Sequence, residues 1–117
     1  MVEEIYIRNN TFRQLKGMNS GGGIYMFHTK QYFQFPVIDI SENVFLYNEA
    51  IHYGGGIALE SLAYIDQSLV QVVRNTFISN SAIIGGGMYL RNLYPSKEVI
   101  ASNTFNSNVA ATASTIY

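Results

Sequence analysis

Apolar and polar positions alternate in short runs that return along the chain. Ile5-Tyr6-Ile7, Ile38-Asp39-Ile40 and Val70-Gln71-Val72 each place β-branched residues on either side of a residue of another kind. Glu98-Val99-Ile100 continues the series with its apolar end kept. Period two with β-branched residues predicts a half-buried strand. A second strand is predicted at Ile24-Tyr25-Met26, Ile57-Ala58-Leu59, Met88-Tyr89-Leu90 and, cut short, Ile116-Tyr117. Its first and third residues should point inward and the middle one outward.

Fixed markers separate these strands. An Asn stands three residues after the last apolar position of the first strand, as Asn10, Asn43, Asn75 and Asn103. Two residues later comes Phe12, Phe45, Phe77 or Phe105. Nine of the ten glycines form the triplets Gly21-Gly22-Gly23, Gly54-Gly55-Gly56 and Gly85-Gly86-Gly87. Small residues Gly17, Ala50, Ala82 and Ala110 share a further column. Two marker sets in constant phase define four imperfect repeats, approximately 5–37, 38–69, 70–97 and 98–117. In the last, Ala113-Ser114-Thr115 stands where the glycines were.

One such repeat has too few inward residues to bury them alone. Stacked at the strand spacing of about 4.8 Å, the repeats set Phe on Phe and Ile on Ile. The predicted fold is therefore all-β: a right-handed parallel β-helix, or solenoid, of about four coils and a fragment of something longer. The marker Asn should end the strand, bond the Asn of the next coil and tolerate a left-handed corner. The triplets suit tight bends and close approach. A helix is excluded by the crowd of Gly, Asn, Ser, Thr and β-branched residues in every window. A propeller blade would need four strands per repeat, and two or three are visible.

The segments Asn43-Val44-Phe45-Leu46-Tyr47-Asn48 with Gly54-Gly55-Gly56-Ile57, and Asn75-Thr76-Phe77-Ile78-Ser79-Asn80 with Gly85-Gly86-Gly87-Met88, resemble a known repeat. It is that of the polymorphic outer membrane proteins, where Phe-x-x-Asn is paired with Gly-Gly-Ala-Ile. Similar repeats occur in other large surface proteins. The resemblance covers nearly the whole chain and implies a pectin-lyase-like β-helix, an adhesin-like surface role and no catalytic residues. It departs at Leu15, which replaces the motif Asn in the first repeat, at the third glycine of each triplet, and in the last repeat.

Composition narrows the function. Of 117 residues 48% are hydrophobic and only 13% charged, so Asn, Ser, Thr, Gln and Tyr must supply the polar surface. A net charge of −1 with dispersed basic residues gives no footprint for nucleic acid. No apolar run is long enough to span a bilayer. The acidic start Met1-Val2-Glu3-Glu4 differs from the basic opening of a signal peptide. With no cysteine, thiolate chemistry and disulfides are excluded. The expected location is extracellular or at the cell surface, as part of a larger protein.

Candidate chemistry is sparse. The triplets lack the Lys-Ser/Thr of a phosphate loop and read as turns. His28 and His52 have no converging ligands, and no metal or cofactor is expected. Asp39 and Asp66 fall in different columns, so the paired carboxylates of a glycosidase are not in view. Tyr25, Tyr89 and Tyr117 share an outward column interrupted by Ala58, which serves either as a stabilising ladder or as a sugar-stacking face. The connections His28–Pro36, Ser61–Ser68 and Arg91–Lys97 carry Tyr32, Phe33, Tyr64 and Tyr94. Insertions of this kind often build a solenoid's binding surface. Asn9-Asn10-Thr11 is a glycosylation sequon.

Two functions follow. The first is a non-enzymatic structural or recognition module, with glycans or surface proteins as partners. The alternative is a fragment of a polysaccharide lyase or hydrolase whose catalytic residues lie elsewhere. Open solenoid ends should also promote self-association.

Overall fold

The computed structural model describes residues 4–28, 37–65, 70–93 and 100–112. Each repeat lays down short strands in the same order. The first holds β1 (Glu4–Arg8), β2 (Thr11–Arg13), β3 (Lys16–Gly17) and β4 (Ile24–His28). The second holds β5 (Val37–Ser41), β6 (Val44–Leu46), β7 (Glu49–Ala50) and β8 (Ile57–Ile65). The third adds β9 (Val70–Val73), β10 (Thr76–Ile78) and β11 (Met88–Leu93), and the fourth β12 (Ile100–Ala101) and β13 (Thr104–Asn106). All described strands pair in parallel, and each sheet takes one strand from each repeat that it crosses. The sheets are separate and short: β1-β5-β9-β12, β2-β6-β10-β13, β4-β8-β11 and β3-β7. Isolated bridges such as Tyr53↔Ile84 link the segments between them.

Register sets like on like. Ile5, Ile38 and Val70 are partners in turn, as are Ile7, Ile40, Val72 and Ile100. Phe12, Phe45, Phe77 and Phe105 form a second row, with ring centroids 4.9, 4.8 and 4.7 Å apart and planes within 7°. Aromatic pairs left to themselves prefer an offset or an edge-to-face approach. Here the near-parallel rings stand at the strand spacing, which falls within the range of offset-stacked pairs, so the backbone register and the ring preference agree. Phe45 and Phe77 are wholly buried with Ile40, Val72, Ile57 and Met88.

The structure adds a strand that the sequence reading placed beyond the strand end. The marker Asn lies between β1 and β2, β5 and β6, and so on, and the Phe that follows belongs to a strand of its own. It also moves the left-handed corner. Asn9, Glu42, Arg74 and Ser102, each one residue before the marker, have φ of 55 to 58°. The marker itself is absent from the positive-φ residues. A second corner five residues on repeats this at Gln14, Tyr47, Ser79 and Ser107. Left-handed backbone costs a non-glycine residue about 1–2 kcal/mol. Seven of these eight corners are followed by an Asn whose hydrogen bonds offset that cost, and the corner at Gln14 is followed by Leu15.

Those bonds form two ladders. Asn75 Oδ1 accepts from the main-chain N–H and the amide of Asn43, at 2.9 and 3.1 Å. Its own amide donates to Ile40 O and to Asn103 Oδ1, and its N–H donates to Asn103 Oδ1. Asn10 starts this ladder. The second runs through Asn48, Asn80 and Asn108 in the same manner. At its head Leu15 gives only its N–H, to Asn48 Oδ1 at 3.0 Å. Asn43, Asn48, Asn75 and Asn80 are fully buried, and a primary amide so placed must meet both its donors and its acceptor.

The triplet glycines answer different needs. Gly54 has φ +65, the left-handed region. At Gly55 an added Cβ would lie 2.3 Å from Gly86 O, so one repeat's backbone fills the space against the next. At Gly56 it would meet the Phe77 ring at 2.8 Å. The triplet therefore combines the bend, the close approach and the seat of the Phe stack.

Candidate recognition face

The outer face of the β4-β8-β11 sheet carries the aromatic column that the sequence singles out. Tyr25 and Tyr89 both pair with Ala58, so the three residues do share a column. They do not share exposure. Tyr25 is 47% exposed, whereas Tyr89 is 8% exposed and Ala58 wholly buried. Tyr53, from the bridge segment before the second triplet, stacks on Tyr89 with centroids 4.6 Å apart. The continuous exposed tyrosine row is thus corrected: one end is covered by a ring that strand alternation does not bring into view. Tyr117, Tyr32 and Tyr94 lie outside the described residues. Tyr64 lies in β8, and its side chain is not described.

The connections are corrected as well. β8 continues to Ile65 and β11 to Leu93, past Ser61 and Arg91 where the loops were expected to begin. Parallel pairing resumes after a register shift, Arg91 opposing Glu60 and Leu93 opposing Ile65, and the ladder is interrupted between them.

An aromatic platform stands instead along β4. Phe27, two residues from Tyr25 and on the same side of the strand, is also 47% exposed. The two rings lie within 8° of parallel with centroids 6.5 Å apart. Glu60 is the strand partner of both Phe27 and Arg91. It is buried, and its Oε2 accepts a hydrogen bond from the Tyr25 hydroxyl at 3.1 Å. Burial first, then the hydrogen bond and the charge of Glu60, raise the Tyr25 pKa above its ordinary value. The phenol stays protonated and keeps donating. Phe27 and Glu60 were not singled out in the sequence. The signal that finds them is the next period-two step outward from Tyr25 and Ala58.

The other candidates fall elsewhere. Asp39 lies on the β1-β5-β9-β12 sheet, where Arg8 bonds it at 2.6 Å and lies 4.5 Å from the Tyr6 ring centroid. Burial pushes the Asp39 carboxyl up, but hydrogen bonds from Arg8 and Ser41 and the charges of Arg8 and Arg74 outweigh it. The net result holds it below the ordinary carboxylate value. His52 Nδ1 meets Asn19 Oδ1 at 2.6 Å, and Asp66 lies outside the described residues. Among the described residues no three His, Asp or Glu side chains gather to hold a metal ion. The column of small residues opens a shallow groove lined by Ala50, Ala82, Ala110 and the exposed Ile51, Ile83 and Val109. Compared with known proteins, the chain matches no family model, no curated protein sequence and no solved structure.

Proposed function

We propose that the chain is a segment of right-handed parallel β-helix of the pectin-lyase-like kind, a structural and recognition module of a larger secreted or surface protein. The solenoid reading is supported by the unbroken parallel register of like residues and by the two Asn ladders. The right hand follows from the strong preference of parallel crossover connections.

Within that reading the role is adhesin-like, and the ligand is a glycan. The carrying observation is the Tyr25–Phe27 platform with the Glu60 carboxylate at its margin. A pyranose ring offers an apolar C–H face to an aromatic plane and hydroxyl donors at its rim. Tyr25 and Phe27 supply exposed ring faces, and the Tyr25 hydroxyl oxygen, whose proton is given to the buried Glu60, supplies an acceptor. The enzymatic reading gains nothing from the geometry. Asp39 and Glu60 lie on different sheets, and each already has a partner, Arg8 and Tyr25.

The test is titration of the protein with a panel of neutral oligosaccharides, followed by NMR shifts and calorimetry. Tyr25→Ala and Phe27→Ala should each weaken binding about tenfold while the circular dichroism spectrum is kept, given the usual worth of one ring contact. Binding that survives both substitutions would remove this face from consideration.

A further inference from the structure

The asparagines of this chain divide by what their amides do. Asn43, Asn48, Asn75 and Asn80 are buried, and each gives its amide to the Asn of the next repeat and to a carbonyl of the one before. The repeat also sets what stands two residues after a ladder Asn. It is the Phe of the stacked row, as after Asn43 and Asn75, or an Ala of the small column, as after Asn48 and Asn80. A ladder Asn therefore lacks both a free amide and a hydroxyl residue at that distance.

Asn9 differs on each count. It holds the left-handed corner between β1 and β2, with φ of 58°, and is exposed. Its main-chain N–H donates to Ser41 O, while its side-chain amide bonds none of the described residues. Two residues on stands Thr11, exposed at the start of β2. Asn9-Asn10-Thr11 is the only Asn-x-Ser/Thr triplet of the sequence. The exposure belongs to the corner and not to the first repeat. Glu42 and Arg74 occupy the same corner with repeats stacked on both sides, and both are exposed. Thr76, which takes the place of Thr11 in the third repeat, is also partly open to water between its neighbours.

We propose that Asn9 is an N-glycosylation site, whose Nδ2 receives an oligosaccharide from a lipid-linked diphosphate donor. The Nδ2–C1 bond forms as the C1–O bond to the diphosphate breaks. The lipid diphosphate leaves with the bonding pair, and one amide proton passes to solvent. The Thr11 hydroxyl completes the triplet by which the acceptor Asn is selected. The inference rests on the secreted-protein reading above and adds a covalent modification to it. The corner joins the β1-β5-β9-β12 and β2-β6-β10-β13 sheets, so the glycan is attached outside the sheet that carries Tyr25 and Phe27. A bulky polar substituent also adds solubility to a chain with only 13% charged residues.

The experiment expresses the 117-residue chain behind a cleavable leader in a eukaryotic secretory host. Intact and peptide masses are read before and after an amidase that releases N-linked glycans, with far-UV circular dichroism on the same material. The wild type should carry a single glycan, on Asn9, and keep its β-sheet spectrum once the glycan is removed. Asn9→Gln and Thr11→Ala should each lose the whole modification, and Thr11→Ser should retain it. A β-sheet wild type with Asn9 bare, or a glycan that survives Asn9→Gln, overturns the inference while the β-helix reading stands. A spectrum without β structure overturns the β-helix reading and, with it, the corner from which the inference is argued.

Discussion

The Asn–Phe corner and the outer face of the β4-β8-β11 sheet belong to the same repeats and follow different rules. At the corner the same residue recurs at each level: Phe45 lies on Phe77, and Asn43 bonds Asn75. On the outer face Tyr25 gives way to Ala58 and then Tyr89, and Phe27 to Glu60 and then Arg91. The corner is buried, and its polar groups have one satisfactory arrangement, so any departure leaves a donor unmet or a ring without its neighbour. On the outer face Tyr25, Phe27 and Arg91 reach water, where a missing partner is replaced by solvent. Sameness marks the buried part that holds the strands in register, and variation marks the part that is not bound to one arrangement.

That contrast is open to attack from the corner first. Phe77→Ala should destabilise the protein by about 3–5 kcal/mol, the usual loss for a large buried aromatic, because both Phe45 and Phe105 lose a stacked neighbour. Urea unfolding followed by circular dichroism checks it. A loss below about 1 kcal/mol would mean that the row is not the core of the stack.

Asn75→Ala comes next. It leaves the Asn43 N–H and the Ile40 carbonyl without their partners in a buried site, and should cost about 2–3 kcal/mol. The same change at Asn10, exposed and at the ladder's start, should cost well under about 1 kcal/mol by the usual surface range. Equal losses at both positions would contradict the distinction between buried rungs and the edge.

The smallest effect is expected from the ion pair on the remaining sheet. The Asp39 carboxyl titrates below its ordinary value of 3.8 in the folded protein, so its pairing with Arg8 is stabilising above that value. The contribution is lost as the pH falls through the lowered folded value. Asp39→Asn should flatten this acid branch of the stability curve and change little near neutrality beyond the loss of the pair. Thermal melts of both proteins across the acidic range give the comparison. An unchanged acid branch would show that Asp39 gains nothing from Arg8.

How much was legible in the sequence differs by residue for the same reason. The marker Asn and Phe columns are visible because register repeats them at nearly constant spacing, and one buried environment selects one residue type. The pairing of Ile5 with Ile38, and of Ile38 with Val70, follows from the alternation together with the constant phase of the repeats. The strand around each Phe is three residues long, too short for period two to reveal, so β2, β6, β10 and β13 were not separated from the turn. The left-handed residues are Glu42, Arg74 and Gln14 among others, whose identities carry no preference for that backbone.

The chain by itself determined the repeat, the direction of its apolar side and the residues that must lie on their own kind. These are local properties: side-chain period, backbone tolerance and the need to bury apolar surface. The tertiary structure alone decided which outward residues remain outward. Tyr89 and Tyr25 occupy one column with one chemistry, yet Tyr53 covers the first while the second stays open beside Glu60. That outcome depends on where a segment more than thirty residues distant in sequence comes to rest, and strand alternation carries no information about it.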